Sequence, residues 1–291
     1  MKRRSLLSKL PALSLGLSSA LAGGGCATAS QIGSEPLLRF VAIADTGWGG
    51  VEQYGVAKAM ELAYRQFPFQ FVLLAGDNIY PNGAVARMAQ AFEQPYRFFL
   101  ERQVPFYAVL GNHDIRTDNG TPQIAYSKRN PLFYLPDRYY HFRQQNVDFF
   151  ALDTNYNADW RLQLPWLYKS LQKSQAKWKI VFGHHPFYSS GQHGSNADFI
   201  KYLAPIFQQF AVNLYLCGHD HNYERFININ GTTYLVHGGG GAPLYPLQQR
   251  LPQSSFFQSV HSFVLFSIYS DRILWEARDM QNNVIDQSQI V

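Results

Sequence analysis

Five apolar segments of this sequence each end at a polar residue of a type that binds metal ions. The segments cover residues 41–44, 69–75, 106–110, 180–182 and 214–217, and they read as buried strands of a parallel sheet. They end at or just before Asp45, Asp77, Asn112, His184 and His219. Because ligands of open α/β sheets lie at the carboxyl ends of the strands, we expect these side chains to meet. The pattern therefore predicts an α/β fold with one shared metal site.

Helical segments alternate with these strands, and hairpins follow towards the carboxyl terminus. Helices are predicted over residues 51–67, 84–102, 162–173 and 197–210, the second being interrupted near Pro95. Residues 116–143 are polar and rich in Pro and Tyr, and are predicted to loop over the site. Asn230-Gly231 and Ser270-Asp271 indicate hairpin turns. We expect two sheets packed face to face with helices outside, in one domain over residues 37–291.

Residues 1–29 are typical of an export signal peptide. A basic start precedes an apolar stretch, residues 10–22, that is too short to span a membrane as a stable helix. Arg3-Arg4 resembles a twin-arginine signal. Cys26 follows three glycines, as in a weak lipoprotein box, and its lipidation would attach the protein to the membrane; simple cleavage near Ala29 is the alternative. We expect a periplasmic or secreted protein, with lipid anchoring to the cell envelope as one outcome.

Net charge and cysteine content argue against a nucleic-acid-binding protein and against a fold held by an intrachain disulfide. The formal net charge is +5, but removal of the four basic residues of the signal leaves 21 basic against 20 acidic residues. No nucleic-acid partner is therefore expected. Cys26 and Cys217 are the two cysteines, so loss or acylation of Cys26 leaves no intrachain disulfide. Cys217 is expected to be a buried apolar residue.

The oxygen donors at the strand ends suit a two-metal hydrolase. Two metal ions roughly 3.5–4 Å apart neutralise charge on a phosphate ester, and a bound water ionises near pH ~7. Asp77, on a tight glycine turn, can bridge such a pair, and Asp45 and Tyr80 add hard oxygen donors. Asn112 is a weak neutral ligand that adds no charge.

The histidines complete this donor set. His184 follows one strand, and His219 and His221 follow the next, two residues apart. In an extended segment the side chains of His219 and His221 project the same way, so each can serve a different metal ion. The run of four glycines at residues 238–241 is not expected to be a phosphate loop, because no helix start with Lys-Ser/Thr follows it.

Together these segments resemble the conserved blocks of the calcineurin-like metallophosphoesterase superfamily, and more closely the small, tartrate-resistant type of purple acid phosphatase. The matching blocks are Asp45-Thr46-Gly47, Gly76-Asp77-Asn78-Ile79-Tyr80, Gly111-Asn112-His113-Asp114, Val181-Phe182-Gly183-His184 and Gly218-His219-Asp220-His221. Tyr80 distinguishes the purple acid phosphatases, because a phenolate is a strong ligand for ferric iron. The resemblance implies a four-layer αββα sandwich of two mixed sheets with a dinuclear metal site.

The resemblance also implies a role for each site residue. The ferric ion would be bound by Asp45, Asp77, Tyr80 and His221, and a divalent ion (Fe, Zn or Mn) by Asp77, Asn112, His184 and His219. His113 would contact the phosphate, and His193 would donate a proton to the leaving group. The sequence departs from the small type at His185, where an aromatic residue is usual, and over residues 116–143, which do not align.

The resulting expectation is an exported acid phosphatase that hydrolyses phosphomonoesters by in-line attack of a metal-bound hydroxide. Its partners would be small-molecule phosphate esters. A phosphodiesterase acting on nucleotides or lipid head groups could use the same site and is the alternative. A non-catalytic metal-binding envelope protein is a further alternative, although such a protein has no need of both His113 and His193. The natural substrate, the divalent metal, the role of His185 and the oligomeric state stay open.

Overall fold

Two seven-stranded sheets dominate the structure, a computed structural model that describes residues 35–291. The expected signal peptide, with its twin arginines and Cys26, lies outside the described residues. The strands are β1 (Leu38–Ile43), β2 (Phe71–Leu74), β3 (Phe106–Ala108), β4 (Phe133–Tyr134), β5 (Tyr140–Gln144), β6 (Val147–Ala151), β7 (Trp178–Phe182), β8 (Leu214–Cys217), β9 (Tyr223–Ile229), β10 (Thr232–His237), β11 (Ser254–Gln258), β12 (Ser262–Ile268), β13 (Ile273–Asp279) and β14 (Val284–Ile290). Within this part of the chain, no helix has both the length and the apolar character needed to cross a membrane.

Short helices connect the strands. The α-helices are α1 (Val51–Gln66), α2 (Arg97–Leu100), α3 (Thr121–Ser127), α4 (Trp160–Lys173) and α5 (Ala204–Gln209). Single turns of 3₁₀-helix lie at Val85–Arg87, Asp114–Arg116 and Asp118–Gly120, and π-helical turns at Ala89–Glu93 and Phe199–Leu203. The second predicted helix, 84–102, is therefore broken into short pieces around Pro95.

Both sheets are mixed, as predicted. The first has the order β14-β13-β12-β1-β2-β3-β4, and β1 to β4 within it are parallel. The second has the order β11-β9-β10-β8-β7-β6-β5, with β6, β7, β8 and β10 parallel. The antiparallel hairpins turned at Asn230-Gly231 and Ser270-Asp271 form the second and third strands from one edge of their sheets. The parallel strands whose ends carry the candidate ligands therefore lie in the middle of each sheet.

The two sheets pack face to face through aromatic side chains. Phe40 of β1 and Phe149 of β6 meet edge to face, with ring centroids 5.3 Å apart. Along β7 the side chains alternate, because Ile180 contributes to this inter-sheet core and Val181 to the core on the opposite face. Leu171 of α4 packs into that second core. Burial on both faces explains why these strands read as continuous apolar runs.

The prediction that residues 116–143 form a loop is wrong. This segment contains α3, the two-residue strand β4 and most of β5. β4 pairs with β3, β5 pairs with β6, and the hydroxyl of Tyr140 donates to the carbonyl of Ala108 at 2.9 Å. β4 lies in an apolar run of only four residues, 132–135, between two prolines, which favour a loop, and β5 mixes aromatic with polar side chains, so neither edge strand gives a clear strand pattern. β11 and β14 are also edge strands, and they too lack a continuous apolar run, because most of their side chains are polar or at least partly exposed.

Asp148 joins three elements at the edge of the second sheet. The carboxylate is buried on β6 and accepts hydrogen bonds from Arg143 of β5 at 2.7 and 2.6 Å. It also accepts from the hydroxyl of Ser174, which follows α4, and lies 3.1 Å from the Nε2 atom of His141. Burial opposes ionisation, but these hydrogen bonds outweigh it and lower the pKa of Asp148 to about 2.

We expect Asp148→Asn to destabilise the protein near neutral pH and to have less effect in acid. The folded-state pKa lies below the ordinary value of 3.8, so ionised Asp148 stabilises the fold above about pH 4, and this contribution is lost as the pH falls towards 2. The loss of charged hydrogen bonds should lower the free energy of unfolding by about 1.5–3 kcal/mol. Urea unfolding at about pH 6 and pH 3 measures this, with the exposed Asp271→Asn as control. A loss that is equal at both pH values would contradict the assigned ionisation.

Candidate metal centre

Loops at the carboxyl ends of central strands from both sheets meet at one place. The loops after β1, β2 and β3 carry Asp45, Asp77 and Asn112, and those after β7 and β8 carry His184 and His219. Asp45, Asp77 and His219 have positive φ angles of 58°, 53° and 70°. Such a conformation costs a non-glycine residue about 1–3 kcal/mol. The chain thus turns sharply at these strand ends, and the side chains converge.

Four of the predicted ligands form one cluster, here called the Asn112 group (Asp77, Asn112, His184 and His219). The Oδ1 atom of Asn112 lies 2.9 Å from both the Nε2 atom of His184 and the Nδ1 atom of His219. The Nε2 atom of His184 is 3.6 Å from the Oδ1 atom of Asp77. Nitrogen and oxygen donors from both sheets therefore face one another across short distances.

The remaining three form the Tyr80 group (Asp45, Tyr80 and His221). The buried Tyr80 hydroxyl donates to the Oδ1 atom of Asp45 at 3.1 Å and lies 3.1 Å from the Nε2 atom of His221. The two groups adjoin, because donor atoms of Asp45, Asp77 and His184 all lie within 4.8 Å of one another. All seven ligands expected from the sequence are thus brought together.

Backbone amides hold the two carboxylates in place. The amide of His219 donates to the Oδ2 atom of Asp45 at 2.9 Å, and the amide of His113 donates to the Oδ1 atom of Asp77 at 2.8 Å. Each amide belongs to a loop that also supplies a candidate ligand or a candidate catalytic histidine. The orientation of each carboxylate therefore depends on a loop other than its own.

Glycines allow these loops to approach the carboxylates. A Cβ atom on Gly111 would lie 2.2 Å from the Oδ1 atom of Asp77, and one on Gly218 would lie 2.1 Å from the Oδ2 atom of Asp45. Gly238 also approaches Asp45, where a Cβ atom would lie 2.7 Å from Oδ2. The four-glycine run thus packs against the site, a contact that the sequence did not indicate.

Carbonyl oxygens orient two of the histidine rings. The Nδ1 atom of His184 lies 3.0 Å from the carbonyl oxygen of Ala75, and that of His221 lies 2.6 Å from the carbonyl oxygen of Pro243. A proton on Nδ1 would complete both hydrogen bonds and leave the Nε2 lone pairs facing the site. This is the usual orientation of a metal-binding histidine.

Within the described part of the chain, the buried carboxylates of the site lack a Lys or Arg side chain to balance them, and they therefore suit bound metal ions. Burial opposes ionisation of Asp45, but the neighbouring His221 lowers its pKa below the ordinary value. Burial and the carboxylates of Asp45 and Asp77 raise the pKa of Tyr80 well above its usual range. Throughout residues 35–291, no Lys or Arg forms an ion pair with either carboxylate. Buried carboxylates need a counter-charge, and oxygen with imidazole donors suits iron, zinc and manganese.

Asp114 fixes the loop after β2 against the loop after β3. Its buried carboxylate accepts from the amides of Asn78, Ile79 and Gly111 at 2.8–3.1 Å and from the side chain of Gln123 at 2.8 Å. Burial and the charge of Asp77 raise the pKa of Asp114 to about 7. The sequence identified Asp114 only as part of a motif, whereas the structure gives it a positioning role.

The two expected catalytic histidines lie beside the ligand groups. The Nδ1 atom of His113 is 2.7 Å from the carbonyl oxygen of Pro81, and its Nε2 atom is 4.0 Å from the Oδ2 atom of Asp77. The exposed ring of His193 stacks on His219, with centroids 4.0 Å apart. Both rings thus border the cluster.

Two residues beside the site were not anticipated. The exposed guanidinium of Arg116 lies 3.3 Å from the Nε2 atom of His113 and adds positive charge there. The ring of Tyr245 stacks on His221 at 4.1 Å. The position of Arg116, three residues after His113, was the one sequence signal available, and Tyr245 had none.

His185 lies behind the Asn112 group. Its ring centroid is 4.4 Å from that of His219, and its Nδ1 atom is 3.0 Å from the hydroxyl of Thr154. Burial and the neighbouring His184 lower the pKa of His185 to about 3. His185 is therefore a neutral ring that packs against a candidate ligand.

The sequence matches one family model and several characterised proteins. The model of the calcineurin-like phosphoesterase family matches residues 38–223. Human tartrate-resistant acid phosphatase type 5 is 34% identical over 244 residues, which cover 72% of this chain and 74% of that protein. Purple acid phosphatase 7 of Arabidopsis thaliana is 31% identical over 236 residues, 71% of each chain.

Solved structures share the fold. Purple acid phosphatase PPD1 from yellow lupin seeds superposes with a TM-score of 0.71 at 21% identity, over 87% of this chain and 53% of that chain. GAP50, described as the anchor in the inner membrane complex of Plasmodium, superposes with a TM-score of 0.76 at 23% identity, over 87% and 88% of the two chains. At these identities the structural likeness supports the fold alone.

We expect Gly111→Ala to lower the amount of metal bound. The added methyl group would lie 2.2 Å from the Oδ1 atom and 2.3 Å from the backbone nitrogen of Asp77, so it would displace both the carboxylate and the loop that carries it, and at least one ion should be lost or bound more weakly. Elemental analysis of the purified protein measures the metal content, and circular dichroism checks that the fold is kept. Gly50→Ala is the matched control, because its Cβ atom would meet only flexible side chains, at 3.0 Å or more. Unchanged metal content in a folded Gly111→Ala protein would contradict a ligand role for Asp77.

Proposed function

The chain belongs to the calcineurin-like phosphoesterase family and is homologous to the tartrate-resistant and purple acid phosphatases, and we propose that it is an exported acid phosphatase that hydrolyses phosphomonoesters. One observation carries this proposal. Seven donor side chains of the types needed by a two-metal hydrolase converge from both sheets, and His113 and His193 border them. A site built only to bind metal has no need of these two further histidines.

The proposed centre holds Fe(III) and a divalent ion, which would be Fe, Zn or Mn. Its ligands would be Asp45, Asp77, Tyr80 and His221 for the ferric ion and Asp77, Asn112, His184 and His219 for the divalent ion. When bound, such a pair supplies a nucleophilic oxygen and neutralises charge on the phosphate ester. Asp77 lies between the two groups, as the shared ligand should, because its carboxylate is close to both His184 and the Tyr80 group.

The remaining residues would act on the substrate directly. His113 would contact the phosphoryl oxygens, with the nearby guanidinium of Arg116 adding positive charge. His193 would donate its proton to the departing alkoxide as a general acid. Asp220 would position His193, because its buried carboxylate accepts from the His193 amide at 2.9 Å and from the Ser189 hydroxyl. This carboxylate fixes the backbone of the loop, while the exposed imidazole stacks on His219.

The proposed location outside the cytoplasm is supported by residues 1–29 alone. They combine a basic start, an apolar stretch and a twin-arginine pair. Lipidation of Cys26 would give a lipid-anchored form of the exported protein, whereas cleavage near Ala29 would give a soluble form. Both forms present the same catalytic domain to small phosphate esters.

The decisive experiment compares a phosphomonoester with a phosphodiester across acid to mildly alkaline pH, using the mature protein. We expect hydrolysis that prefers the monoester, is strongest in acid and disappears when chelators strip the metal. Restored activity on adding iron with zinc or manganese is the control for damage during stripping. Preference for the diester at neutral pH would instead favour a phosphodiesterase on the same site. Inactivity of fully metallated protein would favour a metal-binding envelope protein.

We expect His193→Ala to slow hydrolysis of esters with poor leaving groups far more than that of nitrophenyl phosphate. General acid catalysis contributes about 10²–10⁴-fold, and a nitrophenolate leaves readily without a proton. Values of kcat for an alkyl phosphate and for 4-nitrophenyl phosphate measure the difference. The neighbouring exposed residue supplies a matched control, Gln192→Ala. Equal losses on both esters would remove His193 from the role of proton donor.

A further inference from the structure

A pocket of about 550 Å³ lies beside the metal centre and has no part in the chemistry described above. Its volume falls within the range of small-molecule sites, about 300–1,000 Å³. The residues of this lateral pocket that matter here are Asn155, Tyr156, Trp160, His185, Phe199 and Tyr202. They come from the loop after β6, the start of α4, the residue after His184 and the π-helical turn before α5.

Two pocket residues contact candidate metal ligands. The ring of His185 packs against His219, and the hydroxyl of Thr154 accepts from the amide of His184 at 3.0 Å. His193 stacks on the same His219 ring. His185 of the pocket wall and His193, the proposed proton donor, thus contact the same candidate ligand ring, so the lateral pocket borders the metal centre through His219. The pocket is positioned for the organic part of the ester, not for its phosphate.

The walls of the pocket suit a neutral aromatic group. Tyr156, Trp160, Phe199 and Tyr202 contribute four aromatic rings, and the rims are open because Tyr156 is 91% and Tyr202 55% exposed. Aromatic rings offer offset or edge-to-face partners to another ring. The described lining contains no Lys or Arg, and its Asp198 disfavours an anionic group.

Asn155 adds a polar feature to this lining. The residue is only 1% exposed, and its side-chain amide donates to the carbonyl of Leu110 at 3.0 Å and to Asp153 at 2.8 Å. Its side-chain carbonyl oxygen is buried without a hydrogen-bond partner among the described residues. The two donated hydrogen bonds tie the loop after β6 to Leu110 and fix this wall of the pocket.

We propose that the lateral pocket binds the aromatic part of a phosphomonoester whose phosphate lies at the metal centre. This inference rests on the proposed phosphatase function and adds the class of substrate to it. The pocket makes the enzyme selective for esters of alcohols or phenols that carry an aromatic ring. Selectivity then arises from binding, because the ring is held equally before and during the reaction.

Two matched esters test the proposal. Ethyl phosphate and 2-phenylethyl phosphate both release a primary alkoxide, so they differ mainly in the ring that the pocket would hold. We expect kcat/KM to favour 2-phenylethyl phosphate by about tenfold or more, because burying a phenyl ring of this size is strongly favourable. The preference should lie in KM, with similar kcat values.

Variants at the rim of the lateral pocket test whether the preference for 2-phenylethyl phosphate arises there. Tyr202→Ala and Tyr156→Ala should each lower the ratio of kcat/KM for 2-phenylethyl phosphate to that for ethyl phosphate several-fold. Hydrolysis of ethyl phosphate itself should stay unchanged. Tyr156 is almost fully exposed, so its replacement does not threaten folding. Tyr54→Ala, which removes a half-exposed tyrosine from α1, is the matched control and should keep the preference. Equal rates on the two esters in the unmodified enzyme, or a preference that survives both rim variants, would overturn the proposal.

A binding measurement separates failure of this inference from failure of the proposed activity. Metallated protein is titrated with 2-phenylethanol, which carries no phosphate to hydrolyse, and the indole signal of Trp160 is followed by NMR after assignment with Trp160→Phe. A saturable shift that ethanol does not produce supports the pocket even without turnover. If the Trp160 signal does not shift at the highest 2-phenylethanol concentration, the proposal is overturned. Inactivity of the metallated enzyme towards both esters, in contrast, contradicts the phosphatase function.

Discussion

The structure depends on the burial of two carboxylates at the ends of adjacent parallel strands. The loops carrying Asp45 and Asp77 are joined by backbone hydrogen bonds, from the amide of Asp45 to the carbonyl of Gly76 at 3.0 Å and from that of Gly47 to the carbonyl of Asp77 at 3.2 Å. The two like charges are thereby fixed side by side in a water-poor site. Burying an ion costs several kcal/mol, and amide hydrogen bonds offset only part of that cost. A bound cation would supply the remainder, so the loop arrangement that fixes these carboxylates would also favour metal binding.

The position of these carboxylates between the sheets links metal binding to the fold. Asp45 and Asp77 belong to the first sheet, whereas His184, His219 and His221 follow strands of the second. Ions bound by this set would join the two sheets at one edge, in addition to the aromatic packing that joins their faces. Because a binding site of this kind exists only in the folded chain, the free energy of binding adds to the free energy of unfolding.

The central strands and their terminal ligands could be predicted because local sequence carries both signals. A strand buried on both faces is a continuous apolar run, and the sharp turn that follows it, as at Gly76-Asp77, interrupts the run abruptly. In residues 116–143 the apolar run is only four residues long and is flanked by prolines, so the sequence predicts a loop where the structure has edge strands. Arg116 and Tyr245 escaped notice because their positions arise from loops that approach the site from distant parts of the chain. Contacts of that kind follow from tertiary packing and leave no periodic pattern.

Separate elements carry the metal ligands and the lateral pocket, and this separation has a consequence for specificity. The ligands lie at strand ends that backbone amides and closely packed glycines hold in place, so substitutions there disturb the metal site. Trp160 and Tyr202, in contrast, lie on α4 and on a helical turn whose rings face the pocket and not the carboxylates. Side chains on those elements can change in size or polarity without moving Asp45 or Asp77. The chemistry of phosphate hydrolysis and the choice of ester can therefore vary largely independently, although the ring of His185 both lines the pocket and contacts a candidate ligand.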